Sequence, residues 1–339
     1  MSNVAAVMPE VGRIELKDVD EPILGPRDAM VRIEAVGVCG SDTAYFTVGH
    51  IGDYVVNGPI ILGHECAGQV VVVGSEVTQV AVGDRVAIEP GRPCRDCTEC
   101  MAGRYHLCPD LVFFATPPYD GSLVQRMAID ERQLFRLPEN MSYEEGALCE
   151  PLSVGIWASK RAGLQPGDKV LVTGAGPVGL LAAQVARAFG ASSVTVTDVA
   201  DFRLKMAQDL GFVTEKAGEG ESRDFDVLLE CSGAPNALAD GLWRLGTNGR
   251  AAMVGMPKQD VTLALSRLNV NELSIGLVNR YAHTWPTAIE LISSGRVDVA
   301  PLVTHRFGLD GTAEALTLAK HVPDSVKAVI APQQVQTQA

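Results

Sequence analysis

Hydrophobic and polar positions follow two different patterns along the chain. Up to about residue 150, short apolar runs end at glycines or turns, and the clearest cover 30–36, 68–74 and 84–88. Short runs bounded by turn residues are typical of strands in a barrel-like or sandwich-like domain. The first 150 residues are therefore predicted to form a β-rich unit.

From about residue 153 the pattern changes to strands that alternate with helices. Buried strands are predicted at 169–173, 193–197, 226–230 and 250–254, and helices at 178–189, 201–210 and 286–293. Repeated strand–helix units predict a parallel, doubly wound sheet with right-handed crossovers. The segment 297–329 is too short to fold alone and is predicted to return to the first domain.

Composition and charge exclude several classes of function. Lys plus Arg is 28 and Asp plus Glu is 41, so the net charge of -13 disfavours nucleic-acid and anionic-membrane partners, which need basic patches. Residues 1–16 show no signal-peptide pattern, and the longest apolar stretch, 170–186, is interrupted by glycines and Pro177. The protein is predicted to be cytoplasmic with reduced cysteines, so cysteine spacing is interpreted first as metal or catalytic chemistry.

A glycine-rich segment lies between a predicted strand and a predicted helix. Gly174, Gly176 and Gly179 fit the G-x-G-x-x-G pattern, whose backbone N–H groups can face a pyrophosphate. Asp198 ends the next strand, where a carboxylate accepts hydrogen bonds from ribose hydroxyls and repels a 2′-phosphate. NAD is thus favoured over NADP, although Arg203 nearby could offset the repulsion and Asp198 could instead cap a helix.

Four cysteines lie close together at Cys94, Cys97, Cys100 and Cys108. Four thiolates can enclose a tetrahedral zinc ion, and a closed four-sulfur shell has no position for a substrate. We therefore predict a structural zinc site. An iron–sulfur centre and a cluster of free thiols are the alternatives.

A second candidate metal site combines Cys39 with His64 and Glu65, which lie in glycine-rich turns after predicted strands. Each residue alone is more often a packing or hydrogen-bonded residue. Together, a thiolate, an imidazole and one or two carboxylates suit a zinc ion with an exchangeable position. Glu150 lies at the predicted boundary between domains, where a cleft would form, and could face the same ion.

These motifs together resemble the zinc-dependent medium-chain dehydrogenases, and within them the sorbitol (L-iditol) and xylitol dehydrogenases. The narrower resemblance is carried by 38–42, 63–65, 114–118, 145–155, 197–198 and 279–281. It implies an α/β fold with a GroES-like, β-rich catalytic domain and a Rossmann-type doubly wound parallel sheet. The expected bounds are 1–152 for the catalytic domain, 153–294 for the NAD-binding domain, and 295–339 for the C-terminal return.

The resemblance also implies roles for individual residues. The catalytic zinc would be held by Cys39, His64 and Glu65, with Glu150 reaching it directly or through water. Ser41 would begin a proton relay, and Asp42 would hold the imidazole. Many family members carry a histidine two residues after that aspartate, whereas this chain has Ala44, and His50 is not at the matching position. Protons could leave through water instead.

Two further residue sets follow from the resemblance. The substrate pocket would comprise Tyr45, Phe114, Thr116, Arg280 and Tyr281, although the aromatic residues could simply pack the domain. The NAD site would comprise Gly174, Gly176, Pro177, Val178, Gly179, Asp198, Arg203, Val254, Gly255 and Asn279.

The expected activity is the interconversion of a sugar alcohol and a ketose, with a catalytic zinc, a structural zinc and NAD. Oxidation of threonine or a small diol is the alternative activity, and a catalytically silent scaffold is the alternative class. The presence of Cys39, His64, Glu65 and Glu150 together argues against a silent scaffold. A homo-oligomer, tetramer or dimer, is expected, with the strand predicted at 273–278 able to pair across a two-fold axis.

Overall fold

The computed structural model describes residues 3–220 and 222–335, and the chain divides into two compact units. Unit 1 comprises Met1–Glu150 and Val299–Ala339, and unit 2 comprises Pro151–Asp298. The borders between the units thus fall after Glu150 and Asp298.

Strands and helices are numbered along the chain. The strands are β1 Asn3–Glu10, β2 Arg13–Val19, β3 Asp28–Gly37, β4 His50–Ile51, β5 Tyr54–Val55, β6 Ile60–Ile61, β7 Glu65–Val73, β8 Arg85–Ile88, β9 Gly91–Arg92, β10 Val112–Phe113, β11 Arg126–Asp130, β12 Leu134–Arg136, β13 Lys169–Thr173, β14 Ser193–Asp198, β15 Val213–Lys216, β16 Phe225–Glu230, β17 Leu245–Met253, β18 Ser274–Leu277, β19 Val303–Gly308 and β20 Lys327–Ala331. The helices are α1 Gly40–Val48, α2 Thr98–Met101, α3 Tyr143–Ala147, α4 Cys149–Arg161, α5 Pro177–Ala188, α6 Asp201–Asp209, α7 Pro235–Trp243, α8 Leu265–Leu268, α9 Trp285–Ser293 and α10 Thr312–His321.

Unit 1 is organised around a mixed sheet in the order β12-β8-β7-β3-β20-β19, with β11 also paired to β3. β3 and β7 are antiparallel, so the end of β3 lies beside the start of β7, and Gly37 pairs with Glu65. On its other side β3 pairs with β20, where Val329 is opposite Gly37. The C-terminal segment therefore completes the sheet of unit 1.

The core of unit 1 is built from both parts of its chain. Inward-facing residues of β3, β7 and β8 pack with residues of the C-terminal segment, and the fully buried examples include Ile33, Val36, Leu62, Cys66, Val86, Ile88, Leu309 and Ile330. Burying one such side chain contributes about 1.5–3 kcal/mol. The C-terminal segment is thus part of the same core as the first 150 residues.

Unit 2 contains a parallel sheet in the order β15-β14-β13-β16-β17-β18 among the described residues. From β13 the chain proceeds first towards β15 and then, beginning with β16, towards the opposite edge. This reversal confirms the predicted doubly wound sheet and creates a topological switch point, where ligands bind at the carboxyl ends of the strands. Among residues 3–220 and 222–335, helices long and apolar enough to cross a bilayer are absent.

Candidate metal and cofactor sites

The pairing of β3 with β7 brings the three predicted catalytic metal ligands together. Cys39 caps the N-terminus of α1 just after β3, and His64 and Glu65 stand where β7 begins. The Cys39 sulfur, a His64 ring nitrogen and a Glu65 carboxylate oxygen all lie within 4.8 Å of one another. Gly63 makes the turn before His64 with a φ of +89°, and a Cβ there would lie 2.9 Å from side-chain atoms of Leu123 and Val36.

Asp42 fixes the position of His64. The buried Asp42 carboxylate accepts hydrogen bonds from the backbone N–H groups of Gly63 at 3.0 Å and Cys39 at 3.1 Å. Its Oδ1 lies 3.4 Å from Nδ1 of His64. Because Nδ1 faces Asp42, Nε2 is the ring nitrogen left for a ligand.

Asp42 and His64 shift each other's pKa values. Burial lowers the pKa of His64, but the charges of Asp42 and Cys39 outweigh burial and raise that pKa well above its ordinary value. Burial raises the pKa of Asp42, but His64 and the two N–H donors bring it to a net value below the ordinary one. Metal binding at His64 therefore requires loss of a proton that is otherwise held tightly.

A buried lysine that no sequence motif indicated contacts Glu65. The ammonium of Lys327, at the start of β20, lies 2.7 Å from both carboxylate oxygens of Glu65. Their side chains are 3% and 1% exposed, respectively. A lysine at the start of an apolar strand is ordinary in a sequence, so no local signal could have identified Lys327.

Glu150 lies on the first turn of α4, and Ser41 lies on the first turn of α1. Glu150 is buried in α4, and its charge acts on Lys327 and on Cys66, so these groups are near one another. Glu150 does not belong to the set of three ligand atoms within 4.8 Å. Ser41 is half-buried on the first turn of α1.

The predicted pocket residues of unit 1 have different surroundings. Tyr45 is buried in the core cluster, and Phe114 is partly buried against it. Thr116 is half-buried and directly precedes the cis peptide between Pro117 and Pro118. In the same segment the ring of Phe113 faces that of His64, with centroids 5.8 Å apart.

The four cysteines of the 94–108 loop form a second compact donor set. Their sulfurs lie within 4.8 Å of one another, with Cys94 and Cys108 3.5 Å apart and Cys94 and Cys100 3.9 Å apart. A tetrahedral ion with bonds of about 2.3 Å places its sulfur ligands about 3.8 Å apart. The backbone N–H groups of Cys94 and Cys97 also donate to sulfurs, as expected around thiolates. The geometry fits one zinc ion rather than a larger cluster.

Three glycines shape the predicted pyrophosphate loop in unit 2. Gly174 has a φ of +89°, and a Cβ on Gly179 would lie 1.8 Å from the carbonyl oxygen of Gly174. Gly176 caps α5, and Pro177 and Val178 form the first helical positions. A Cβ on Gly176 would meet no atom within 4 Å, so this side of the loop is open. The N-terminus of α5 can therefore receive an anion.

Asp198 braces the same loop. Its carboxylate accepts hydrogen bonds from the backbone N–H groups of Ala175 at 2.7 Å and Ala200 at 2.8 Å. Arg203 is 4.0 Å away, at the limit of an ion pair. The carboxylate is thus held at the end of β14 while retaining acceptor positions for a ribose.

The predicted residues after β17 are held by Glu230. The backbone N–H groups of Val254 and Gly255 donate to the carbonyl oxygen of Glu230 at 2.8 and 3.0 Å. The buried Glu230 carboxylate accepts from the backbone N–H groups of Ser232 and Gly233. Glu230 thus joins two loops at the carboxyl edge of the sheet, a contact that no sequence motif indicated.

Asn279, Arg280 and Tyr281 follow β18 at the same carboxyl edge of the unit 2 sheet. Arg280 has a φ of +56°, an uncommon conformation for a residue other than glycine. Tyr281 is buried and meets the ring of Trp285 edge-on, with centroids 6.2 Å apart. These predicted substrate and cofactor residues therefore belong to unit 2.

Comparison with known proteins gives consistent results for both units. Residues 25–139 match the alcohol dehydrogenase GroES-like domain, and residues 177–294 match the zinc-binding dehydrogenase domain. A sorbitol dehydrogenase of Bacillus subtilis is 43% identical over 327 residues, covering 93% of both chains. An L-idonate 5-dehydrogenase of Vitis vinifera is 40% identical, covering 90% of this chain and 87% of that one.

Solved structures show the same fold over nearly the whole chain. The 2R,3R-butanediol dehydrogenase of Bacillus subtilis superposes with a TM-score of 0.90 at 26% identity, covering 98% of this chain and all of that one. These matches confirm the resemblance inferred from the motifs. The chain therefore belongs to the zinc-dependent medium-chain dehydrogenases and, within them, to the polyol dehydrogenase family that includes the sorbitol dehydrogenases.

Proposed function

We propose that this protein interconverts a sugar alcohol resembling sorbitol or xylitol and the corresponding ketose, with NAD as the hydride acceptor. The observation that carries the proposal is the group Cys39, His64 and Glu65, whose ligand atoms lie within 4.8 Å of one another. The relatives named sorbitol dehydrogenase, at 40–43% identity, support the choice of a polyol.

The donor sets of unit 1 fit two zinc ions with different roles. Cys39, His64 and Glu65 would hold an ion with an exchangeable position, and the four cysteines would hold a closed one. When bound, the catalytic zinc supplies Lewis acidity that lowers the pKa of an alcohol hydroxyl group, and NAD accepts the hydride.

Several residues of the chain prepare this chemistry. Asp42 keeps the His64 imidazole in one orientation and tautomer. Ser41 would accept the proton of the substrate hydroxyl, and Glu150 would bind the ion or orient that hydroxyl. Because Ala44 cannot continue a relay and His50 is exposed, the proton is proposed to leave through water.

The NAD site is assigned to the carboxyl edge of the unit 2 sheet. The N-terminus of α5 would bind the pyrophosphate, and Asp198 would accept hydrogen bonds from the adenosine ribose. The charge of Asp198 favours NAD over NADP, and Arg203, 4.0 Å away, is the group that opposes this preference.

Five residues are proposed to bind the polyol. Arg, Tyr and Thr side chains suit a ligand with several hydroxyl groups; the proposed residues are Tyr45, Phe114, Thr116, Arg280 and Tyr281. The burial of Tyr45 in the unit 1 core also accords with a packing role.

The protein is further proposed to be a cytoplasmic homo-oligomer without nucleic-acid or membrane partners. The net charge of -13 supports the absence of both partners. The edge strand β18 carries exposed Ile275 and Leu277, which supports assembly with a second copy.

A substrate panel tests the proposed activity. NADH formation would be followed with sorbitol, xylitol, galactitol, threonine and 2,3-butanediol, each supplied with NAD or with NADP. The expected result is the highest kcat/KM for a polyol with NAD. A preference for threonine or butanediol would replace the polyol assignment, and inactivity on all five with zinc present would favour a silent scaffold.

A further inference from the structure

The pair formed by Lys327 and Glu65 couples the candidate metal site to the C-terminal segment. The residues lie 262 positions apart in sequence, and the Lys327 ammonium contacts both Glu65 oxygens at 2.7 Å. A third hydrogen bond joins the ammonium to the carbonyl oxygen of Val38 at 3.0 Å. All three N–H donors of Lys327 are therefore used, and none is left to protonate a substrate.

The absence of a side chain at Gly37 leaves the space that the Glu65 carboxylate occupies. Gly37 is paired with Glu65 across the sheet, and a Cβ at Gly37 would lie 2.1 Å from Oε2 of Glu65. Lys327 and Val329 are two residues apart in β20, so their side chains point to the same face of the sheet. Val329 is the residue opposite Gly37. The Glu65 carboxylate thus lies over a glycine, in contact with Lys327 and within 4.8 Å of the ligand atoms of Cys39 and His64.

We propose that Lys327 is a positioning residue for Glu65: its ammonium competes with the metal ion for the carboxylate, which makes Glu65 an exchangeable ligand. This inference rests on the metal site of the proposed function. A buried carboxylate that leaves a metal ion would normally be stranded without a counter-charge. With Lys327 in place, Glu65 retains a partner when it moves away, so a coordination position can open at low cost.

Replacement of Lys327 should therefore strengthen metal binding. In Lys327→Met the metal ion is the only cation left for Glu65. In Lys327→Gln a hydrogen-bond donor remains but the charge is lost, so both variants should hold the metal more tightly. The chelator concentration that removes half of the catalytic metal should rise by about ten-fold, the lower end of the effect of groups around metal ligands. Metal affinity increases rather than decreases because the group removed is a cation that competes with the metal ion.

The experiment uses the holoprotein and its matched controls. Metal release is titrated with a chelator in the wild type and both variants. The same titrations on a Cys39→Ser background measure the four-cysteine site, which is subtracted. Arg244→Met is the structural control, because Arg244 is 3% exposed and ion-paired with Glu215 within unit 2. It should lower the thermal midpoint with and without metal and leave the chelator curve unchanged.

The outcomes separate the inference from the proposed function. Tighter metal binding in both Lys327 variants, together with lower kcat on the polyol, supports the inference. Unchanged or weaker binding, or loss of the folded state in both while Arg244→Met folds, assigns Lys327 a structural role and overturns it. If the wild type binds no metal ion that is lost when Cys39 is replaced, the proposed function itself is refuted.

Discussion

Asp198 shows how one side chain can stabilise a loop and select a cofactor. Two backbone N–H groups, those of Ala175 and Ala200, already donate to its carboxylate. The Ala175 contact anchors the glycine loop to the end of β14, so the residue that would meet the ribose also fixes the loop that would meet the pyrophosphate. The helix-capping alternative and the ribose-binding interpretation are thus compatible.

Substitution of Asp198 can separate these two roles. Asp198→Ala should raise the KM for NAD by about ten-fold or more, because a hydrogen bond to a charged group contributes about 1.5–3 kcal/mol. Its NAD-over-NADP ratio of kcat/KM should fall by a similar factor. Asp198→Asn keeps an acceptor for Ala175 but loses the charge, so it should lose discrimination while retaining more NAD affinity.

Steady-state kinetics with both cofactors test this prediction. A wild type that uses NADP as well as NAD would mean that Arg203 outweighs Asp198, and the proposed cofactor preference would be wrong.

The residues that a sequence can identify are those whose partners are near in sequence. The cysteines from Cys94 to Cys108 and the glycines from Gly174 to Gly179 each define a short local pattern, and both sets fold into the predicted local geometry. Lys327 meets Glu65 only because β20 pairs with β3, and Glu230 holds Val254 only through neighbouring strands of the sheet. Such contacts depend on strand pairing, which periodicity does not specify.

At the scale of elements, strands buried on both faces were the easiest to predict. β13 occupies the predicted residues 169–173, and β14 extends one residue beyond the predicted 193–197. β17 begins at Leu245, five residues before the predicted 250, because the residues at 246–249, Gly-Thr-Asn-Gly, give no apolar pattern. β2 and β15 were missed because charged residues interrupt their alternation and most of their side chains are exposed or half-buried.

The four-cysteine loop is an element that lacks a hydrophobic core of its own. Its helix α2 has only four residues, and none of them is buried. A metal ion must therefore supply much of the stability of this loop. The Cys39 group, in contrast, is attached to the well-packed sheet of unit 1.

Substitution of a cysteine should accordingly lower stability at one site and abolish activity at the other. Cys97→Ser should lower the thermal midpoint by about 5 °C or more, since 1 kcal/mol shifts the midpoint of a domain this size by roughly 2–4 °C. Cys39→Ser should leave the midpoint nearly unchanged and abolish polyol oxidation. Calorimetry, zinc analysis and kinetics on both variants provide the measurement. One zinc per wild-type chain, or iron at the four cysteines, would contradict the assignment of two zinc sites.

At the scale of the whole molecule, the two edges of the unit 2 sheet differ in chemistry. The edge strand β15 has the sequence Val-Thr-Glu-Lys, and its charges discourage pairing with another chain. The opposite edge strand, β18, has the sequence Ser-Ile-Gly-Leu and carries no charge. Ile275 is 38% exposed and Leu277 69% exposed on this strand. An uncharged, apolar edge is the kind that pairs with another copy.

We expect β18 to pair with β18 of a second copy across a two-fold axis. Leu277→Glu should place two like charges near that axis and shift the protein towards monomer, with dissociation at least about ten-fold easier because each apolar side chain contributes about 1.5 kcal/mol or more when buried. Ile23→Glu is the matched control, because Ile23 is 94% exposed in unit 1 and lies outside any strand. Sedimentation equilibrium over a concentration series measures both variants. A monomeric wild type would refute assembly, and an oligomer unaffected by Leu277→Glu but weakened by Ile23→Glu would move the interface from β18 to unit 1.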